Sequence, residues 1–193
     1  LAEPELLAKD TDHTALELQD PTAEPEAAVL EQDALAAEDA AQSVEGITQI
    51  EAASAGYGRN QIWMQSSNGF SGGYGRSWRS LSCVSIAGTG TEMERDYDGD
   101  SRIFQSDLRR PEDIGTSAAA RTLARLGPRK PATGRFPVLF DERVSSSLVG
   151  HLLAAVNGAS IARGSSWLRD GLNTQVLPVG LSIIDDPHRA RVG

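Results

Sequence analysis

The sequence predicts an α+β fold in which helices pack on antiparallel, meander-like sheets. Three observations lead there. An Ala-, Glu- and Leu-rich segment occupies residues 25–44. Short apolar or alternating runs, split by glycines, follow from Ile47 to about Tyr97. Helical and strand-like stretches then alternate in blocks without a repeating βαβ unit.

Each element has a local reason. "PEAAVLEQDALAAEDAAQSV", residues 25–44, is rich in good helix formers, with proline in its first turn and acids early. Ala28, Leu30, Ala34, Leu35 and Ala37 give it a modest apolar stripe. The reading is a solvated outer helix packed on a sheet. "GITQIEAASAGYG", "RNQIWMQSS", "SLSCVSIAG" and "TEMERDY" read as four successive strands. Asn68-Gly69 is a hairpin signal, because both residues tolerate positive φ. Residues 111–126, "PEDIGTSAAARTLARL", open with proline and two acids, place arginines late and meet Gly127-Pro128. They form a second helix. "GRFPVLFD" reads as a buried strand, "RVSSSLVGHLLAAVN" as a third helix ended by Gly158, and "TQVLPVGLSIID" as a further strand. The expected division is residues 1–110, helix plus strands, and residues 111–193, a linker helix and the start of a second domain.

Composition narrows the function classes. The 193 residues carry a formal charge of −9, unevenly spread. Residues 1–51 hold 14 acidic side chains and one lysine, Lys9, whereas the remainder holds 13 acidic and 17 basic ones. Generic binding to nucleic acid is not expected, because phosphate contacts need clustered Lys and Arg. No apolar run approaches the ~20 residues of a membrane helix. The N-terminal stretch lacks the basic start and apolar core of a signal peptide. The lone cysteine, Cys83, allows no internal disulfide and suits a reducing cytoplasm. A chain that begins at Leu1 is expected to be a fragment of a longer protein.

The densest stretch is "SNGFSGGYGRSWRSLSC", residues 67–83. It fails the dinucleotide fingerprint, since Trp78 stands where the third glycine belongs, and it has no P-loop lysine. Arg76, Trp78 and Arg79 are expected on the exposed face of a hairpin. "RDYDGDSRIFQSD" alternates Asp96, Asp98 and Asp100 like a calcium loop, but Gly99 falls fourth and no glutamate closes it. The reading is an exposed acidic turn. Cys83 reads as a buried strand cysteine and His151 as a hydrogen-bonded core histidine. The three histidines are far apart in sequence, and "DDPH", residues 185–188, reads as a solvated turn. These residues assemble no complete catalytic set.

Several ordered blocks are similar to the PmbA/TldD family, and specifically to its PmbA (TldE) branch. They are "SNGFSGGY", "SLSC", "ERDY", "PEDIGTSAAARTLARLGPRK", "FPVLFD", "SSLVGHLLAAVNGASIARGSSWLRD" and "IIDDPH", from about Gln42 onward. The resemblance implies a peptide-maturation protein, historically a modulator of DNA gyrase. It implies pairing with a TldD-type zinc metalloprotease subunit, whose H-E-x-x-x-H helix binds the metal. In this chain Val149, Gly150 and Leu153 to Ala155 stand around those positions, and neither a glutamate nor His151 replaces them. The expectation is a non-catalytic partner subunit with no cofactor of its own, zinc being held by its TldD-type partner. It would contact peptide and partner through Asn68, Gly69, Phe70, Gly72, Gly73, Tyr74 and His151. A homodimer is compatible with this reading, and a protein- or DNA-binding module of gyrase-modulator type is the alternative.

Overall fold

The computed structural model describes residues 14–192. In chain order, α1 spans Ala27–Gln42, β1 Ile47–Gln65, β2 Ser71–Ala87, β3 Glu94–Arg102, α2 Pro111–Leu123, α3 Glu142–Val156 and α4 Gly158–Ala162. The strands form one antiparallel sheet in the order β1-β2-β3. Contacts divide the chain into two compact units. The first runs to Arg129 and includes the chain from Asp186, and the second is Lys130–Asp185.

In the first unit, α1 and α2 cover one face of the sheet. Ala37 and Ala41 of α1 and Ile114, Ala118 and Ala119 of α2 meet Leu81, Cys83 and Ala87 of β2. The side chains are small, so the helices lie close. A Cβ on Gly115 would overlap the Ala37 carbonyl oxygen and approach the Ala40 Cβ at 3.1 Å. The α1 stripe is rotated from its sequence reading: Ala28 and Leu35 are exposed, and Ala37 and Ala41 are buried. β2 alternates strictly, with Ser77, Arg79, Leu81, Cys83, Ser85 and Ala87 turned toward the helices. Helix α2 keeps the expected start, with Pro111 in its first turn followed by Glu112 and Asp113, and Arg121 in its last.

Three expectations change. The first two strand runs merge into one 19-residue strand, β1. Gly56 and Gly58 do not break it, because the Trp78 indole lies across both from the neighbouring strand. An aromatic ring over strand glycines supplies the packing that their missing side chains withhold. Second, "GRFPVLFD" and "TQVLPVGLSIID" form no strand, and Leu139, Val179 and Ile184 are among their exposed side chains. A strand needs a hydrogen-bonding neighbour, and among the described residues these apolar runs have none. Third, α2 packs on α1 and the sheet, so the observed division falls after Arg129 and not after residue 110.

Candidate functional site

The feature that stands apart from the packed layers is the far end of the β1–β2 hairpin. β1 and β2 pair from Ile47↔Ala87 out to Gln65↔Ser71, while β3 accompanies only residues 79–87 of β2. Residues 57–78 therefore form a two-stranded ribbon that runs beyond the sheet. Among the described residues β1 is an edge strand along its whole length. The turn is the one that Asn68-Gly69 predicts. Ser66 N donates to Phe70 O at 3.0 Å, Gly69 adopts φ +89°, and the Asn68 side chain accepts from the Ser66 hydroxyl and from Phe70 N. Such turns use the residues that tolerate positive φ.

Period-two alternation assigns the ribbon faces. Gln61 and Trp63 share the helix-side face with Gly75 and Gly73 opposite them. Ile62 and Met64 share the other face, opposite Tyr74 and Gly72. Trp63 is 72% exposed, Met64 62% and Ile62 42%. A cleft of about 390 Å³ is lined by Gln19, Gln61, Ile62, Trp63 and Tyr74 over Gly73 and Gly75. Nearer the sheet, Trp78 lies so close on Gly58 that a Cβ there would collide with the indole. Gly58→Val is therefore expected to expel Trp78 from the strand surface, read as a red-shifted indole emission and a stability loss of about 1–3 kcal/mol. Unchanged emission and stability would show that the ring does not pack there.

The ribbon's root is fixed. Asp20, 1% exposed, has its backbone N donate to Ser77 Oγ at 2.7 Å, and Ser77 Oγ donates to Ile103 O at 3.1 Å. Ser77 N donates to Leu18 O, and Arg59 Nη2 donates to Asp20 O. Burial alone would raise the Asp20 pKa, but donors from the Gln105 and Thr22 backbone and the Thr22 hydroxyl hold it below the usual carboxylate value. Arg79 is not on an exposed face. It is buried, pairs with Asp33 at 2.5 Å, and also donates to Gly56 O.

The acidic run is not an exposed turn either. It is β3, and register puts Glu94, Asp96, Asp98 and Asp100 in one row on the helix side. Asp98 accepts from Arg121 at 2.7 Å and Arg109 at 2.9 Å, and Arg125 reaches Asp96 and Glu94. Inward-pointing charges on an edge strand also discourage pairing with another chain. Burial would raise the Asp98 pKa, but hydrogen bonds from Ser117, Arg109 and Gly99 N lower it overall.

The structure brings Asn68, Gly69, Phe70, Gly72, Gly73 and Tyr74 together on the ribbon. His151 belongs to the second unit, where it is exposed on α3 and is not a core histidine. Cys83 is fully buried in the core, and burial followed by the charge of Glu38 pushes its thiol pKa up, away from the reactive thiolate. Among the described residues no group of three or more His, Cys, Asp or Glu could hold a metal ion. The α3 positions Val149, Gly150 and Leu153 to Ala155 offer no ligating side chain. These α3 side chains do not fit a zinc ion. Gln19, Gln61 and Trp63 escaped the sequence reading. The signal was the triplet Ile62-Trp63-Met64, which puts large apolar groups on both faces of one strand.

With this geometry in hand, the comparisons with known proteins are specific. The model of the PmbA/TldA metallopeptidase central domain matches residues 18–126, and that of the C-terminal domain matches residues 133–193. The chain belongs to the PmbA/TldD family. It is 43% identical over 122 residues to metalloprotease PmbA of Escherichia coli O157:H7, covering 63% of this chain and 27% of that protein. It is 39% identical over 126 residues to a metalloprotease PmbA homologue of Haemophilus influenzae, covering 65% and 28%. The chain thus spans about a quarter of the length of these relatives. A crystal structure from Bacteroides thetaiotaomicron, described as a candidate modulator of DNA gyrase, superposes with a TM-score of 0.90 at 28% identity, over 99% of this chain and 44% of that one. A Thermotoga maritima structure of like description gives 0.67 at 16% identity over 75% and 33%, a likeness of fold.

Proposed function

We propose that this chain is part of a PmbA-type subunit that does not itself hydrolyse peptides. It holds extended peptide for a TldD-type zinc metalloprotease partner in peptide maturation and proteolysis. The observation that carries this reading is the ribbon edge: among the described residues β1 has no strand on its outer side, and it exposes Ile62, Trp63 and Met64. An extended peptide can add to such an edge, taking affinity from main-chain hydrogen bonds and selectivity from alternate side chains. The rigid root at Asp20, Ser77 and Arg79 supports it, because a fixed template loses little entropy on binding. The zinc and its water-activating glutamate belong to the partner in this reading. The assembly is cytoplasmic, and among the described residues no helix is long and apolar enough to cross a membrane.

Reconstitution tests the reading. The chain alone, with zinc and an unstructured peptide, is expected to show no metal-dependent cleavage. The full-length PmbA-type subunit carrying it is expected to raise cleavage by its TldD-type partner. Robust metal-dependent activity of the chain alone, or a full-length subunit without effect on the partner, would overturn it.

The description of the Bacteroides thetaiotaomicron structure, at 28% identity, favours the second reading, a module of gyrase-modulator type. DNA binding would then weaken steeply with salt, as phosphate contacts displace counterions. The burial of Arg79 against Asp33 removes one of the arginines that suggested it. A salt titration is expected to show no such slope.

A further inference from the structure

We infer that the ribbon edge selects peptides with consecutive uncharged, apolar residues, as in segments that a folded protein would bury on both sides, over peptides that alternate apolar and charged residues. The inference rests on the strand-addition reading and specifies its substrate.

Cross-strand side-chain pairs normally cover the flanks of strand residues. Along the distal ribbon β2 sets Tyr74 opposite Ile62 but withholds this cover at three other positions. Gly72 stands opposite Met64, Gly73 opposite Trp63 and Gly75 opposite Gln61. The Trp63 ring leans over Gly73, and the Gln61 and Gln19 carboxamides lean over Gly75. Even so, Trp63 and Met64 remain largely in solvent. Among the described residues no strand lies along the β1 edge, so a further strand arriving there meets these side chains.

A peptide added there places successive side chains on opposite faces, each about 4.5–5.5 Å from its β1 neighbour. One face offers Trp63 and Gln61, and the other offers Ile62 and Met64. Both therefore reward apolar contact. Among the described residues the lining of the cleft beside Trp63 is uncharged, although the chain carries a net charge of −9. A carboxylate or ammonium brought against Trp63 or Met64 would lose water with no opposite charge in that lining to replace it.

The test compares two soluble-tailed peptides of equal length. One carries a central run of Val, Ile and Phe, and the other alternates these residues with Glu and Lys. Affinity is measured by indole fluorescence in a Trp78→Phe, Trp167→Phe background, which leaves Trp63 as reporter. Hydrogen exchange over residues 57–65 of the wild-type chain is followed alongside. The apolar-run peptide is expected to bind about tenfold tighter. Anisotropy of labelled peptides then follows Trp63→Ala, which is expected to erase most of the preference, and Trp63→Phe, which is expected to keep it. Equal affinities, with exchange protection retained for both peptides, overturn the selectivity and leave strand addition standing. No protection by either peptide overturns both.

Discussion

Gly115→Ala is expected to destabilise the first unit by about 1–3 kcal/mol, and Gly115→Val to leave it without a cooperative unfolding transition. The cause is backbone contact. Gly115 lies where α2 crosses α1, and its missing Cβ is the space that the Ala37 carbonyl oxygen occupies. Ala37, Ala41, Ala118 and Ala119 line the same contact, so no long side chain is available to swing aside. Any added carbon must push the helices apart and loosen Ile114 and Leu81 beneath them. Helix propensity works the other way, since alanine exceeds glycine by about 1 kcal/mol in a helix interior. A net loss thus isolates the steric effect. Domains of this size have only about 5–15 kcal/mol in total. Urea unfolding measures it, and wild-type stability of Gly115→Ala would show that the helices do not approach so closely.

Asp98→Ala is expected to cost about 3 kcal/mol, the lower end of what removing one partner of a buried ion pair costs. Asp98 is 4% exposed and serves both Arg109 and Arg121. The arginines are partly in water and can recover some hydration, which moderates the loss. The substitution also changes the acid limb of stability. The folded pKa of Asp98 lies below its unfolded value, about 3.9. Its contribution is therefore complete above that value and disappears as pH falls through the lower folded one. Asp98→Asn is expected to flatten stability against pH in that window and leave the neutral-pH slope unchanged. Asp20 adds a limb of the same sign. An acid limb identical in wild type and Asp98→Asn would contradict the assignment.

Much of the fold was legible in the sequence because its signals are local. Pro111 with Glu112 and Asp113 marks a helix start, and Asn68-Gly69 marks a turn, whatever surrounds them. What escaped depends on partners distant in sequence. The glycines at 56 and 58 read as breaks, because nothing local reveals that Trp78, some twenty residues on, will cover them. Asp96 and Asp98 read as solvated because the arginines that pair with them come from α2 and from the residues flanking it. "GRFPVLFD" and "TQVLPVGLSIID" have strand composition, yet pairing is a property of two segments and not of one. The candidate site was half legible: residues 68–74 lie on the ribbon, but its exposed apolar edge is on the preceding strand. His151 was placed by its apolar neighbours, and it is those neighbours' exposure, with Leu148 and Leu153 among them, that removes the reason for a core position.

The most direct measurement of the central claim is amide hydrogen exchange across β1, with and without an unstructured apolar peptide. Edge amides with no strand partner exchange readily, and strand addition gives them acceptors. The account predicts slowed exchange over residues 57–65, little change in β3, and loss of the effect when the peptide's backbone nitrogens are methylated at alternate positions. Unchanged exchange in β1, or equal protection by the methylated peptide, would contradict it.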